Sequence, residues 1–374
     1  MRLLIPAWSF YPAQEGGPSN AMYWMASGLA KAGYEVRVVT TSRYIEDPNI
    51  KFNEWLDFDG FKVIYQTLDQ GTNVIYDEID HCDWVLSNGV CMLKDFRINL
   101  RAIKKGKRVV LSPRGELHDA AIDHKGKFYG YLKRGFFLLM RFAYGRKIVY
   151  HVTSKEEKEM VKKYMGKSCK AALIPNYMIL PQRVLNDKVK VDKDYLLYVG
   201  RLNPIKNLDI LIEGLAYSRI FRNSNFKMKF AGEKKGEYCQ FLIDQTRKLG
   251  LSEKVEFLGM VTGEAKNALY ANAKCLFLLS KSENFGNVII EALSQGTPAI
   301  TSKGTPWQSL QNANAGYWID ATPERVGETI DRFLSLNPEE YSQMREAAYN
   351  LSRAFDIHSN IEKWKDVLES RIVF

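Results

Sequence analysis

At 374 residues and 46% apolar composition, the chain is long enough to bury two hydrophobic cores, and two domains are the default. Its five cysteines (Cys82, Cys91, Cys169, Cys239, Cys275) are scattered, odd in number and contain no C-x-x-C, which speaks against a disulfide framework or zinc site and for a reducing compartment. The net charge is +10, and no run reaches the roughly 18 apolar residues of a membrane span, so a soluble cytoplasmic protein is expected, with the opening M-R-L-L-I-P read as a first strand rather than a signal peptide.

Apolar runs at 3–8, 35–41, 61–66, 84–88, 108–112 and 148–152 read as strands, with helical segments between several of them. A second series follows at 195–200, 227–231, 255–258, 275–279, 299–301 and 317–319. This alternation predicts an α/β chain of parallel sheets covered by helices. The polar stretch 175–194, with two prolines, is the expected linker. It separates domains over 1–175 and 176–355. Residues 356–374 follow, where 356–370 has helical spacing with Ile357, Ile361, Trp364 and Leu368 on one face.

After the first strand, Gly16 and Gly17 in Q-E-G-G-P-S-N allow backbone close to a ligand, and Pro18 suits a helix's first turn; a plain tight turn is the competing view. No G-x-G-x-x-G fingerprint occurs. S-P-R-G-E-L-H leaves the fifth predicted strand. It offers Arg114, whose pKa is too high for a general base, and His118, either a site residue or a surface turn histidine. Asp57-Phe-Asp59 and Asp192-Lys-Asp194 read as solvated turn acids rather than metal ligands. Residues 97–147 carry 14 basic against 3 acidic side chains, and 125–147 hold seven cations, no acid and many interleaved aromatic and aliphatic residues. Such a segment suits an anionic membrane surface; the other reading is a core-packing helix with a basic outer face, weakened by glycines at 126, 130 and 135. No nucleic-acid recognition motif accompanies it.

The second series opens with Y-L-L-Y-V-G-R-L-N-P-I-K-N, which places Arg201 at a strand's carboxyl end and Lys206 before a helix. Two cations there can neutralise a diphosphate, or form a solvated loop pair. F-A-G-E brings Gly232, where backbone can approach a ligand, and V-E-F-L-G follows. S-K-S-E-N-F-G-N-V-I-I-E-A-L-S-Q-G-T-P then predicts a strand, a polar turn and a helix opening at Gly286 and Asn287. A helix start facing a strand's carboxyl end suits a phosphate. Glu283 and Glu291 frame it with seven residues between, fit to accept hydrogen bonds from sugar hydroxyls or simply solvated on a capped helix.

E-N-F-G-N-V-I-I-E-A-L resembles the E-x7-E signature of retaining glycosyltransferases of the GT-B fold, and closely that of glycosyltransferase family 4. G-R-L-x-x-x-K-N is similar to the same family's cation segment. The resemblance implies two Rossmann-like parallel-sheet domains facing each other across a cleft, with the C-terminal helix crossing back to the first domain. It implies a donor site in which Arg201 and Lys206 hold the diphosphate and Glu291 the ribose. Phe285, Gly286, Asn287 and Val288 would supply backbone contacts, Gly232 would line the nucleotide side, residues 257–260 would lie near the base, and Gly16 and Gly17 would face the diphosphate. Glu283 would approach the transferred sugar. Many relatives carry P-H-G where this chain has P-R-G, so Arg114 stands in place of the family's histidine, with His118 nearby in sequence.

The expected activity is therefore metal-independent, retaining transfer of a sugar from a nucleotide-diphosphate sugar, UDP favoured over GDP, to a glycan or lipid-linked acceptor, in bacterial surface polysaccharide biosynthesis. No cofactor is expected beyond the donor substrate, and no nucleic acid partner. A peripheral position at the inner membrane face, through residues 97–147, is the further expectation. A GT-B sugar-nucleotide epimerase and a non-catalytic nucleotide-sugar or membrane-binding protein are the alternatives.

Overall fold

The computed structural model of the chain describes all residues except 14–16, 46, 124–125, 185–193 and 372–374. Two compact units emerge, one made of Met1–Ile179 with Asp356–Phe374, the other of Leu180–Phe355. The chain leaves the first unit at Ile179, a few residues beyond the boundary expected at 175.

The first unit holds β1 (Arg2–Pro6), β2 (Glu35–Thr41), β3 (Trp55–Phe58), β4 (Phe61–Gln66), β5 (Trp84–Asn88), β6 (Arg108–Ser112), β7 (Ile148–Val152) and β8 (Lys170–Leu173). They form one sheet in the order β3-β4-β2-β1-β5-β6-β7-β8. Every pairing is parallel except β3 with β4. Helices cover the sheet, so β1 and β7 are almost wholly buried and read as continuous apolar runs. Two strands lack that signal. β3 lies at the sheet edge with no fully buried residue, and β8 is a short K-A-A-L segment. The expectation that Asp57 and Asp59 form a turn is therefore half corrected. Asp57 is a residue of β3, while Asp59, at φ +49°, turns the chain into β4. Its carboxylate accepts from Tyr23 and Ser27. Asp194 is described, but Asp192 lies outside the described residues.

The C-terminal segment packs on the helix Gly17–Lys31 of the first unit. Any Cβ on Gly28 would collide with Ile357, and Ile357 N–H donates to Met178 O at 2.9 Å. The expected single helix is two, Ile357–Asn360 and Glu362–Leu368, with Ile357, Trp364 and Leu368 buried.

The second unit holds β9 (Tyr195–Val199), β10 (Lys227–Ala231), β11 (Val255–Gly259), β12 (Cys275–Leu278), β13 (Ala299–Ser302) and β14 (Gly316–Ile319). Its sheet is all parallel, in the order β11-β10-β9-β12-β13-β14. Strands follow β9 outward on one side as β10 and β11, then restart beside β9 on the other side as β12. Successive crossovers thus leave the β9/β12 boundary in opposite directions. In open α/β sheets, loops part at such a point beyond the strands' carboxyl ends and leave room for a ligand. The first unit has the same arrangement between β1 and β5.

Candidate functional site

The loops that part at the β9/β12 boundary carry Arg201, Lys206 and Glu283. After β9 the chain passes through Gly200 at φ +147° and a single 3-10 turn, Pro204–Lys206, capped by Asn203 Oδ1 accepting from Ile205 N–H at 3.0 Å. Asn207, in the left-handed region at φ +51°, ends that turn, and its buried side-chain amide donates to Leu279 O at 2.9 Å. This tie fixes the loop after β9 against the end of β12. The Lys281 N–H bond to Ile205 O, 2.8 Å, adds a second tie. Lys206 Nζ consequently sits 2.5 Å from Glu283 Oε2, in a pair that is mostly buried on both sides. Ser280 Oγ donates to the same oxygen at 3.2 Å. Arg201 is exposed at the carboxyl end of β9 and makes no ion pair among the described residues.

Gly286 stands at φ +89° as the residue preceding the helix Asn287–Ser294, as the sequence pattern predicts. A side chain there would press on Leu278 and Glu283. Asn287 and Val288 form the partly exposed first turn. Phe285 plays a different part from its neighbours. Its ring is buried against Trp307 and Phe355, and its carbonyl accepts from Trp307 Nε1 at 2.5 Å. It anchors the turn from below, and its carbonyl already has a partner. Gly304 is a residue the sequence reading missed. Its Cβ would run into the carbonyls of Ser280 and Lys281, while its own carbonyl accepts from Glu283 N–H at 2.9 Å. The loop after β13 thereby holds Glu283 from behind.

Glu291 is buried, and both its oxygens have partners. Lys266 Nζ donates to Oε1 at 3.0 Å, and Tyr270 OH donates to Oε2 at 2.7 Å. Both donors come from the helix Gly263–Asn272, at a helical i, i+4 spacing. Each carboxylate oxygen keeps a second lone pair. The sequence reading missed Lys266 and Tyr270, which lie more than 20 residues from Glu291 with nothing in sequence to link them. Gly232 follows β10, where any side chain would collide with Gly200 O, so glycine is required for the two loops to lie side by side. Phe257 stacks on Phe230 at 5.1 Å, and Leu258 and Met260 are exposed at the end of β11.

In the first unit, Gly16 lies outside the described residues, and Gly17 opens the helix Gly17–Lys31. Arg114 leaves β6, which is the sixth strand because β3 intervenes. Its φ of +54° is uncommon for a residue with a long side chain. Arg114 Nε donates to Asn88 Oδ1 at 3.1 Å and Nη1 to Asn176 Oδ1 at 2.8 Å. Its direct partners are neutral amides, and burial draws its pKa down to about 10 despite the more distant Glu157 carboxylate. Glu157 is occupied with backbone, accepting from Gly115 N–H at 2.8 Å and Thr153 N–H at 2.8 Å. A small cavity beside Arg114 is lined by His151, Asn176, Tyr177 and Trp364.

The histidine brought to Arg114 is thus His151 of β7; His118 is not among the cavity's lining residues and precedes the short helix Asp119–Ile122. His151 Nδ1 lies 2.8 Å from Ser112 Oγ and Nε2 2.9 Å from Ile174 O. Burial, helped by the Arg114 charge, pushes its pKa down to about 3, so it is neutral at pH 7. Sequence reading passed over it as one residue of an apolar strand.

A second group missed in sequence lies where β1 and β5 part. The Lys94 ammonium covers the Trp8 ring, and Asp95 and Glu116 carboxylates both approach Gly89. Glu116 Oε2 accepts from Val90 N–H at 2.6 Å and Cys91 N–H at 3.0 Å. Burial raises the Asp95 pKa to about 7 against the pull of Lys94, with Glu116 adding to the rise. Burial also lowers Lys94 to about 8. Among the described residues, no group of three or more His, Cys, Asp or Glu side chains is placed to hold a metal ion.

Comparison with known proteins supports the glycosyltransferase resemblance. Residues 185–351 match the family model of Glycosyl transferases group 1. An uncharacterized glycosyltransferase of Methanocaldococcus jannaschii is 34% identical over 149 residues, covering 39% of this chain and 37% of the relative. The N-acetyl-alpha-D-glucosaminyl L-malate synthase of Bacillus anthracis is 26% identical over 214 residues, covering 51% of this chain and 53% of the relative. The matched region therefore spans between about a third and a half of these curated relatives' length.

Solved structures match over nearly the whole chain. Anabaena HepE in complex with UDP and glucose superposes with a TM-score of 0.76 at 15% identity, covering 99% of this chain and 100% of that one. WaaG, described as a glycosyltransferase involved in lipopolysaccharide biosynthesis, gives 0.71 at 19% identity, covering 98% and 99%. At these identities the likeness concerns the fold, and the fold is GT-B, with two parallel-sheet α/β domains and a C-terminal segment returned to the first.

Proposed function

We propose that the protein is a retaining glycosyltransferase that takes a sugar from a nucleotide-diphosphate sugar, with UDP-sugars preferred, and passes it to a glycan or lipid-linked acceptor. The observation that carries this reading is the placement of Lys206 and Glu283 in contact at the β9/β12 boundary, beside the helix start at Gly286 and Asn287. A diphosphate needs cationic and N–H donors, and a sugar's hydroxyls need acceptors. The contact puts both kinds of group at one point.

In this reading Arg201 and Lys206 take the diphosphate together with the N–H groups of the helix start. Glu291, oriented by Lys266 and Tyr270, receives the ribose hydroxyls, and Glu283 receives those of the transferred sugar. Residues 257–260 border the base. As the bond from the anomeric carbon to the diphosphate oxygen breaks, the same cations stabilise the charge left on the diphosphate, and no metal ion is needed to do so. The acceptor oxygen bonds to that carbon on the face the diphosphate leaves. Its proton passes to a diphosphate oxygen, so the configuration is retained without an enzymic nucleophile. Arg114 and His118 are assigned to the acceptor side, with Arg114 supplying positive charge rather than a base. Bacterial surface polysaccharide assembly is the proposed setting, supported by the likeness in fold to WaaG.

The test is calorimetry with UDP, GDP and their sugars, followed by turnover assays with Glu283→Gln. UDP binding retained in that variant with turnover lost supports the assignment. Equal turnover in wild type and variant, or no binding of any nucleoside diphosphate by the wild type, overturns it.

A further inference from the structure

The acid-free stretch forms one unbroken helix, Lys127–Tyr144, of 18 residues. Gly130 does not interrupt it. Its bare Cα leaves room for the Asp123 carboxylate, which takes Arg134 in two hydrogen bonds of 2.7 and 2.8 Å. The helix packs inward through Phe137, Met140 and Tyr144. Of the two sequence readings, a core-packing helix with a basic outer face would make the rest of its surface polar. The structure differs. Phe128, Tyr131, Leu132, Leu139 and Phe142 are 73, 70, 56, 52 and 77% exposed. At about 100° per residue these five fall within one band, about 100° wide, opposite the packed face. Scattered exposed apolar residues are ordinary, but a continuous aromatic and aliphatic stripe marks an interaction surface.

Charge identifies what covers it. Lys127, Arg134 and Arg141 are spaced by seven residues and so form a row along one flank of the stripe, with Arg146 and Lys147 just past its end. Arg134 is neutralised by Asp123 and the Arg141 guanidinium lies against Gly166, whereas Lys127, Arg146 and Lys147 make no ion pair among the described residues. An apolar stripe bordered by uncompensated cations is complementary to a lipid interface with anionic headgroups. A second copy of the same helix would set these cations against their like. No helix among the described residues is long and apolar enough to cross a membrane, so the stripe fits a helix lying in the interface plane.

We propose that this helix is a docking surface for an anionic lipid bilayer, with Phe128, Tyr131, Leu132, Leu139 and Phe142 entering the acyl boundary and the flanking cations meeting the headgroups. The helix is tied to the segment that follows Arg114, the short helix Asp119–Ile122 and the loop after it. Lys133 Nζ donates to Ala121 O at 2.9 Å, and Arg134 pairs with Asp123 of the same segment. If the glycosyl-transfer reading holds, docking brings the carboxyl edge of the first unit's sheet next to the bilayer and favours a lipid-linked acceptor. The docking itself does not depend on that reading.

The experiment is flotation of the full chain with vesicles of phosphatidylcholine alone and of phosphatidylcholine mixed with phosphatidylglycerol, alongside UDP binding as an independent check of the second unit. Wild type should float with the mixed vesicles, less so in high salt. Phe128→Ser/Phe142→Ser and Lys127→Glu/Arg146→Glu should each bind at least about tenfold more weakly, with circular dichroism unchanged because the replaced side chains are exposed. Failure of the wild type to float, or flotation undiminished in both double variants, overturns the proposal. So does a wild-type dimer in light scattering that Phe128→Ser/Phe142→Ser converts to monomer with vesicle binding intact, since the stripe is then a self-association surface.

Discussion

Lys206 Nζ and Glu283 Oε2 are 2.5 Å apart, and the contact is mostly shielded from solvent. In the proposed reading, a bound diphosphate would compete with Glu283 for Lys206 and, on taking it, would free that carboxylate oxygen to accept from a sugar hydroxyl. The two side chains act as a unit, so their replacements separate by readout. Lys206→Ala should weaken nucleoside diphosphate binding by roughly 10- to 100-fold, the loss of one charge-assisted contact of about 1.5–3 kcal/mol. Glu283→Gln should leave UDP binding within a few-fold of wild type and cut turnover by about 100-fold or more. Calorimetry and initial-rate assays on the same preparations distinguish the two. Weaker UDP binding in Glu283→Gln than in Lys206→Ala would contradict the division of labour.

Arg201 differs from Lys206 in being exposed and without an ion pair among the described residues. Arg201→Ala should therefore melt within about 2 °C of wild type, as surface substitutions do. A bidentate guanidinium contact to phosphate would make it costly for binding all the same, about tenfold or more in the dissociation constant. Arg201→Lys should recover only part of that loss, because a point charge lacks the paired geometry. A variant with unchanged UDP affinity removes Arg201 from the site.

Much of this architecture was legible because buried parallel strands leave continuous apolar runs. β2, β4, β5, β6 and β7 fall at the predicted residues, whereas β3 at the edge and the short β8 carry no such run. The contact between Lys206 and Glu283 in the second unit was foreshadowed in the same way. Arg201, Lys206 and Glu283 are placed by strand ends and a helix start, features that spacing encodes. What escaped depends on side chains meeting from distant segments. Lys266 and Tyr270 face Glu291 only once two helices pack, and His151 reaches Arg114 only because β7 lies beside β6. The outer face of Lys127–Tyr144 needed the third dimension too, since interleaved apolar and basic residues do not say which side packs.

Glu291 illustrates the cost of such a meeting. Lys266→Met would leave one oxygen of a buried carboxylate without its cation, and breaking a buried pair by removing one partner costs about 3–5 kcal/mol, less here because Lys266 keeps some solvent exposure. Tyr270→Phe removes one neutral donor to the carboxylate, a loss of about 1–3 kcal/mol. Chemical denaturation should rank the variants in that order, with Lys266→Met below Tyr270→Phe below wild type. A double variant Lys266→Met/Glu291→Leu should be more stable than Lys266→Met alone, since no buried charge remains, yet bind UDP no better. Recovery of binding together with stability would show that Glu291 orders the helix and does not receive the ribose.

Two buried groups in the first unit give stability opposite responses to acid. His151, held neutral by burial and the Arg114 charge with a pKa near 3, binds no proton in the folded state at pH 5, while the unfolded chain's histidine, near 6.5, does. Its contribution is therefore complete above about pH 6.5 and is lost as pH falls. Asp95, raised by burial to about 7, keeps its proton when folded at pH 5, whereas the unfolded carboxyl, near 3.8, has released it. Its contribution is complete below about pH 4 and is lost as pH rises toward 7. Each slope approaches about 1.4 kcal/mol per pH unit, so between pH 4.5 and 6.5 they largely cancel in the wild type. Single variants uncover them. Relative to wild type, Asp95→Asn should lose stability as the pH is lowered from 7 to 5, and His151→Gln should gain it over the same interval. Urea midpoints at pH 5, 6 and 7 suffice to measure both, and difference curves of the same sign would mean that one of these two groups is not held in the protonation state its burial dictates.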